Sequence, residues 1–128
     1  MSDKKKILVV DDEPGIRDFL EMYLRRRGYY VVTCADGQQA LDLVLSGQFD
    51  YDLLLTDNSM PRLRGTDLAR RLRENGRAQP AILITADAHA LFGEPPEGIN
   101  LVMGKPFANG ELLAEIVRLL AAGDADGG

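Results

Sequence analysis

Cysteine is nearly missing from this chain of 128 residues, and its single example, Cys34, can form no disulfide within the chain. Cys34 stands in the apolar stretch Tyr30 to Ala35 and reads as a small core residue rather than a reactive thiol. Histidine is as scarce. His89 has no partner motif around it and reads as an exposed loop residue, so the His and Cys ligands that zinc favours are lacking. Long apolar runs are absent as well. Lys4-Lys5-Lys6 precedes only the short run Ile7 to Val10, too short for a signal peptide, and no stretch approaches membrane-spanning length. Positive charge is in deficit: the net charge of −5 argues against a nucleic-acid surface. The clusters Arg25-Arg26-Arg27 and Arg70-Arg71-Arg73 read as solvated helix faces, the first closing a helix where cations suit its C-terminal end. The expectation from these absences is a soluble, reduced, cytoplasmic protein with no membrane insertion and no DNA partner.

The apolar and charged fractions, 45% and 27%, are those of an ordinary globular domain. We expect one domain over residues 1–122 and a flexible, polar tail over 123–128. Four apolar runs each end in a residue able to handle a phosphoryl group or its metal ion. Ile7-Leu8-Val9-Val10 leads to Asp11-Asp12, and Leu53-Leu54-Leu55-Thr56 leads to Asp57. Ala81-Ile82-Leu83-Ile84 leads to Thr85, and Leu101-Val102-Met103-Gly104 leads to Lys105-Pro106. Runs apolar throughout suit strands covered on both faces.

Strands are expected at Lys6 to Val10, Tyr30 to Thr33, Tyr51 to Thr56, Ala81 to Thr85 and about Ile99 to Met103. Between them, Ile16, Phe19, Leu20, Tyr23 and Leu24 recur at helical spacing behind Pro14 and before Gly28. Ala40, Leu41, Val44 and Leu45 mark a second helix, and Leu68, Ala69 and Leu72 a third. A last helix over Asn109 to Ala122 carries Leu112, Leu113, Ile116, Val117 and Leu120, with Asn109 as its N-cap. The fourth connection holds a short helix at Asp87 to Leu91 and then an irregular loop, because Pro95, Pro96, Gly93 and Gly98 break regular structure. Alternating strands and helices predict an open parallel α/β sheet, whose strand ends lie side by side where ligands bind.

Carboxylates converging there repel one another unless a cation intervenes. Oxygen ligands without His or Cys select a hard ion, Mg²⁺, with Asp12 and Asp57 as the best direct ligands and Asp11 held through water. Mg²⁺ and an ammonium can support attack of a carboxylate on phosphorus, giving an aspartyl phosphate. Lys105 suits a point charge towards phosphate oxygens, and Thr85 can donate one hydrogen bond. Taken singly, Asp11 or Asp12 could cap a helix, Asp57 could start a turn, Thr85 could end a strand and Lys105 could be solvated. Their joint order favours the site.

With these residues in view, the chain resembles the receiver domain of two-component response regulators over residues 5 to 122, of the stand-alone type or as the terminal receiver of a hybrid kinase. The resemblance rests on Ile7-Leu8-Val9-Val10-Asp11-Asp12-Glu13, on Leu55-Thr56-Asp57 followed by Met60-Pro61 and Gly65, on Thr85-Ala86, and on Lys105-Pro106-Phe107. It implies a flavodoxin-like sheet of five parallel strands in the order 2-1-3-4-5 with five helices, the fourth short or irregular. It also implies Asp57 as phosphoacceptor, Asp11 and Asp12 as the metal pair, and the Ser59 backbone carbonyl as a further Mg²⁺ ligand. Thr85 would be the switch hydroxyl, Lys105 the phosphate-binding lysine, and the Lys105–Pro106 peptide cis. The donor would be a histidine kinase or histidine phosphotransferase docking beside the first helix, and the output an unidentified protein target. Such a receiver is no enzyme beyond its own phosphorylation and dephosphorylation. No output domain is expected after the last helix. Val102 stands where the family usually carries an aromatic switch residue, and Arg64 where an acidic residue often precedes Gly65. The competing readings are a receiver-like module that binds partners without phosphorylation and a Mg²⁺-dependent phosphatase, for which this length leaves no cap.

Overall fold

Residues on the first strand alternate between two cores, which is why its sequence is apolar without a break. Leu8 and Val10 face a cluster with Ala40, Leu41, Val44, Leu68 and Leu72, while Ile7 and Val9 face another with Leu20, Leu24, Leu112 and Ile116. The computed structural model describes residues 4–87, 89 and 93–127. Its strands are β1 (Lys6–Val10), β2 (Tyr30–Cys34), β3 (Leu53–Asp57), β4 (Ala81–Thr85) and β5 (Leu101–Gly104). Helices α1 (Pro14–Arg26) and α4 (Asn109–Gly127) cover one face, and α2 (Gly37–Leu45) and α3 (Gly65–Glu74) the other.

All pairings are parallel and the order is β2-β1-β3-β4-β5, as expected. Four helices are found among the described residues, against five expected. The short helix expected over 87–91 falls largely outside the described residues; within it, His89 is exposed. Residues 93–100 are irregular, as their prolines and glycines require, and Gly98, at φ 87°, lies against the Ala69 carbonyl of α3. The last helix runs to Gly127 instead of ending at Ala122. Ala121, Ala122 and Ala125 favour helix there, and without a proline Gly123 weakens the helix but does not end it. Asn109 is the first residue of α4 and not its cap; the Ala108 carbonyl accepts the first bond, from the Leu112 amide at 3.0 Å.

Local chemistry fixes where the chain turns at the functional edge. Pro14 opens α1, where a missing N–H costs no hydrogen bond. Asp36 caps α2 by accepting the Gln39 amide at 2.8 Å, and the Gln39 side chain returns to the Ala35 amide at 2.7 Å. Among the described residues, no helix is long and apolar enough to cross a membrane.

Candidate functional site

Val10 of β1 pairs with Thr56 of β3, so Asp11 and Asp57 emerge from adjacent strands at the same edge of the sheet. Asp11, Asp12 and Asp57 each bring a carboxylate oxygen within 4.8 Å of the others. Asp11 and Asp57 are buried, at 3% and 6% exposure, and Asp12 opens to solvent. Lys105 arrives from the end of β5. Its Nζ lies 3.0 Å from Asp57 Oδ1, 3.5 Å from Asp11 Oδ2 and 3.5 Å from Glu13 Oε1. The Lys105 amide donates to the Thr85 carbonyl at 2.9 Å, and the Lys105–Pro106 peptide is cis.

One ammonium therefore serves several acidic groups. Burial raises the Asp11 pKa above its usual value, aided by repulsion from Asp57 and Glu13, despite the Glu13 amide bond and the Lys105 charge. Burial opposes the charge on Lys105, but its hydrogen bond to Asp57 and the fields of Asp11, Asp57 and Glu13 outweigh this and hold its pKa above the ordinary lysine value. A cluster short of positive charge, built of carboxylates without His or Cys, fits a hard divalent cation.

The chain after Asp57 is held tightly. The Asn58 amide donates to the Ile84 carbonyl at 3.1 Å, and the Asn58 side-chain oxygen accepts the Thr66 amide at 3.2 Å. A Cβ on Gly65 would overlap the Asp57 carbonyl oxygen, so only glycine lets α3 start this close to Asp57. Arg62 takes a left-handed conformation, φ 71°, and its guanidinium lies 3.5 Å from Asp36 Oδ2 at the start of α2. Gly37 lies against the Leu63 carbonyl, pressing the same loop onto α2. Ser59 is exposed in this loop, two positions beyond Asp57.

Thr85 is buried one strand from Asp57, where Ile84 pairs with Asp57. Its hydroxyl oxygen accepts the Asp87 amide at 3.1 Å rather than meeting Asp57, and it keeps its own proton for donation. Val102 is not brought to the carboxylates. It pairs with Leu83 and packs against the core under α2 and α3. A groove of about 680 Å³ runs from Lys105 along β5, past Val102, His89 and Phe107.

Two contributors carried no role in the sequence reading. Glu13 was only the third acid of its run, although that run was itself a signal. Arg17 donates from its guanidinium to the Asp11 carbonyl at 2.7 Å, a contact that no motif announces.

The sequence profile of the response regulator receiver domain matches residues 7–117. The chain is 37% identical over 125 residues to response regulator MprA of Mycolicibacterium vanbaalenii, covering 96% of this chain and 53% of that protein. It is 38% identical over 117 residues to response regulator MprA of Mycobacterium avium, covering 90% and 50%. The chain thus spans about half the length of these curated relatives. Among solved structures it is similar to response regulator protein TrrA of Thermotoga maritima in complex with Mg²⁺-BeF, at TM-score 0.81 and 34% identity, covering 90% of this chain and 98% of that one. A crystal structure of histidine kinase ThkA in complex with TrrA is also similar, at TM-score 0.79 and 34% identity over 91% of this chain and 98% of the matched chain.

Proposed function

We propose that this chain, which belongs to the response regulator receiver family, accepts a phosphoryl group on Asp57 in a Mg²⁺-dependent reaction and thereby switches its contacts with other proteins. The observation that carries the reading is the 3.0 Å contact of Lys105 Nζ with Asp57, beside three carboxylates that converge within 4.8 Å. Asp11, Asp12 and Asp57, with the backbone carbonyl of Ser59, would hold the metal ion. When bound, it supplies charge that offsets the repulsion between a carboxylate nucleophile and an anionic phosphoryl group.

The donor is a phosphohistidine on a histidine kinase or phosphotransferase. This is supported by the likeness to TrrA, which has been solved with a histidine kinase. An Asp57 carboxylate oxygen attacks phosphorus, the O–P bond forms as the N–P bond breaks, and the imidazole leaves. Lys105 would shift from Asp57 towards the new phosphoryl oxygens, and the Thr85 hydroxyl, whose oxygen accepts the Asp87 amide, would donate its proton to one of them. No further catalytic activity is assigned. We place the reaction in the cytoplasm, a setting that the unpaired Cys34 suits.

Incubation with Mg²⁺ and a small acyl phosphate should add one phosphoryl group, read by intact mass, and Asp57→Asn should abolish it. An unmodified wild type, beside a receiver that is modified under the same conditions, would overturn this function and favour a module that binds partners without phosphorylation.

A further inference from the structure

We propose that Arg17 is a positioning residue for the metal-binding carboxylates: by holding the Asp11 carbonyl from the first turn of α1, it sets the direction of Asp11 and Asp12. The inference rests on the Mg²⁺-dependent reading above.

Three hydrogen bonds hold Asp11, besides its ion pair with Lys105. Its amide donates to the Cys34 carbonyl of β2 at 3.1 Å, its Oδ1 accepts the Glu13 amide at 2.9 Å, and its carbonyl accepts the Arg17 guanidinium at 2.7 Å. The last is the shortest and is charge-assisted. It also meets a need, because β1 ends at Val10 and α1 begins at Pro14, so this carbonyl falls in a turn between two regular ladders. The Arg17 amide in turn donates to the Glu13 carbonyl at 3.0 Å, so main chain and side chain of one residue clasp the turn from Asp11 to Glu13.

The charge of Arg17 goes to a neutral carbonyl. The ion pairs on Asp11 and Asp57, at 3.0 to 3.5 Å, are made by Lys105. Arg17 thus orients the acidic pair without neutralising it, leaving the carboxylates available to a cation. Loss of a bond made to a ligating group itself typically weakens metal binding about 10- to 100-fold, and a bond to the ligand's main chain, which fixes its direction one step further back, belongs at the lower end of that range.

The test is calorimetric titration of the full chain with Mg²⁺, alongside melting in chelator. Arg17→Ala should weaken Mg²⁺ binding about tenfold, and Arg17→Lys, which can still donate to the carbonyl, should recover most of the loss. The Mg²⁺ concentration that half-saturates phosphorylation by acyl phosphate should rise by the same factor, with the rate at saturating Mg²⁺ preserved. A purely structural role would lower the melting temperature of the metal-free protein without moving the Mg²⁺ constant. A folded Arg17→Ala protein that binds Mg²⁺ within about twofold of wild type overturns the inference. If that variant does not fold, Arg17→Gln, which keeps the apolar stem, is judged by the same limits. Wild type that binds no Mg²⁺ overturns the proposed function and this inference together, whereas binding in wild type with an unaffected variant overturns the inference alone.

Discussion

β3 and β5 belong to one parallel sheet, yet every residue of β3 is buried while every residue of β5 is only partly covered. β3 lies between β1 and β4, whereas β5 is an edge strand paired to β4 alone. The site draws on both. Asp57 ends the central strand, which pairs with β1 and β4 and is covered by helices on both faces, and Asp57 itself pairs with Ile84 of β4. Lys105 follows the edge strand, where fewer contacts resist a shift. Under the proposed function, an acceptor at Asp57 would need a fixed position for in-line attack, and a cation following the phosphoryl group would have to move. The division of labour follows from strand order.

The largest effect should come from cutting the same chemistry out of each strand. Leu54→Ala in β3 removes a side chain that is 1% exposed, and a loss of about 2 to 5 kcal/mol is expected. Leu101→Ala in β5 should cost about 1 kcal/mol, since a partly covered side chain has less burial to lose. Urea midpoints measure both, and equal losses would erase the contrast. Gly65→Ala forces a methyl against the Asp57 carbonyl and should cost about 1 to 3 kcal/mol and, under the proposed function, slow acyl-phosphate labelling. Gly110→Ala, with nothing within 4 Å, should be neutral or slightly stabilising by the same measurement.

Asp11→Asn probes the strain beside the central strand through pH. The folded protein holds the Asp11 pKa above its ordinary 3.8, chiefly by burial, so charging it costs stability as pH rises from 3.8 through the folded value. The metal-free variant should therefore melt higher than wild type at pH 7, and the two should converge below pH 3.8. A gain undiminished in acid would assign the effect to something other than this carboxylate. Arg62→Ala should matter least, within about 0.5 kcal/mol by urea unfolding, because its ion pair with Asp36 is made by a mostly exposed guanidinium.

The sheet was legible because each strand is an apolar run closed by a polar residue, and strand ends are where parallel sheets place ligands. The convergence of Asp11, Asp12, Asp57 and Lys105 followed from that rule. Strand starts were less legible. β3 begins at Leu53 and not Tyr51, since Asp52 spends its side chain on the Lys6 amide at 2.7 Å. β5 begins at Leu101 and not Ile99, because Ile99 closes a turn on Pro96 and the Asn100 side chain takes the Ala81 amide. Glu13 and Arg17 stayed hidden for another reason. Their contacts depend on how the first turn of α1 is set against β1, and helical spacing alone does not reveal it.

Asp36 divides its carboxylate between two neighbours, with Oδ1 accepting the Gln39 amide and Oδ2 facing Arg62. Any displacement of the Arg62 loop redistributes charge across that carboxylate and changes the pull on the Gln39 proton. The Gln39 amide resonance in a nitrogen–proton correlation spectrum is thus a built-in gauge, reporting on the loop that follows Asp57 from a helix that contributes no side chain to the carboxylate cluster.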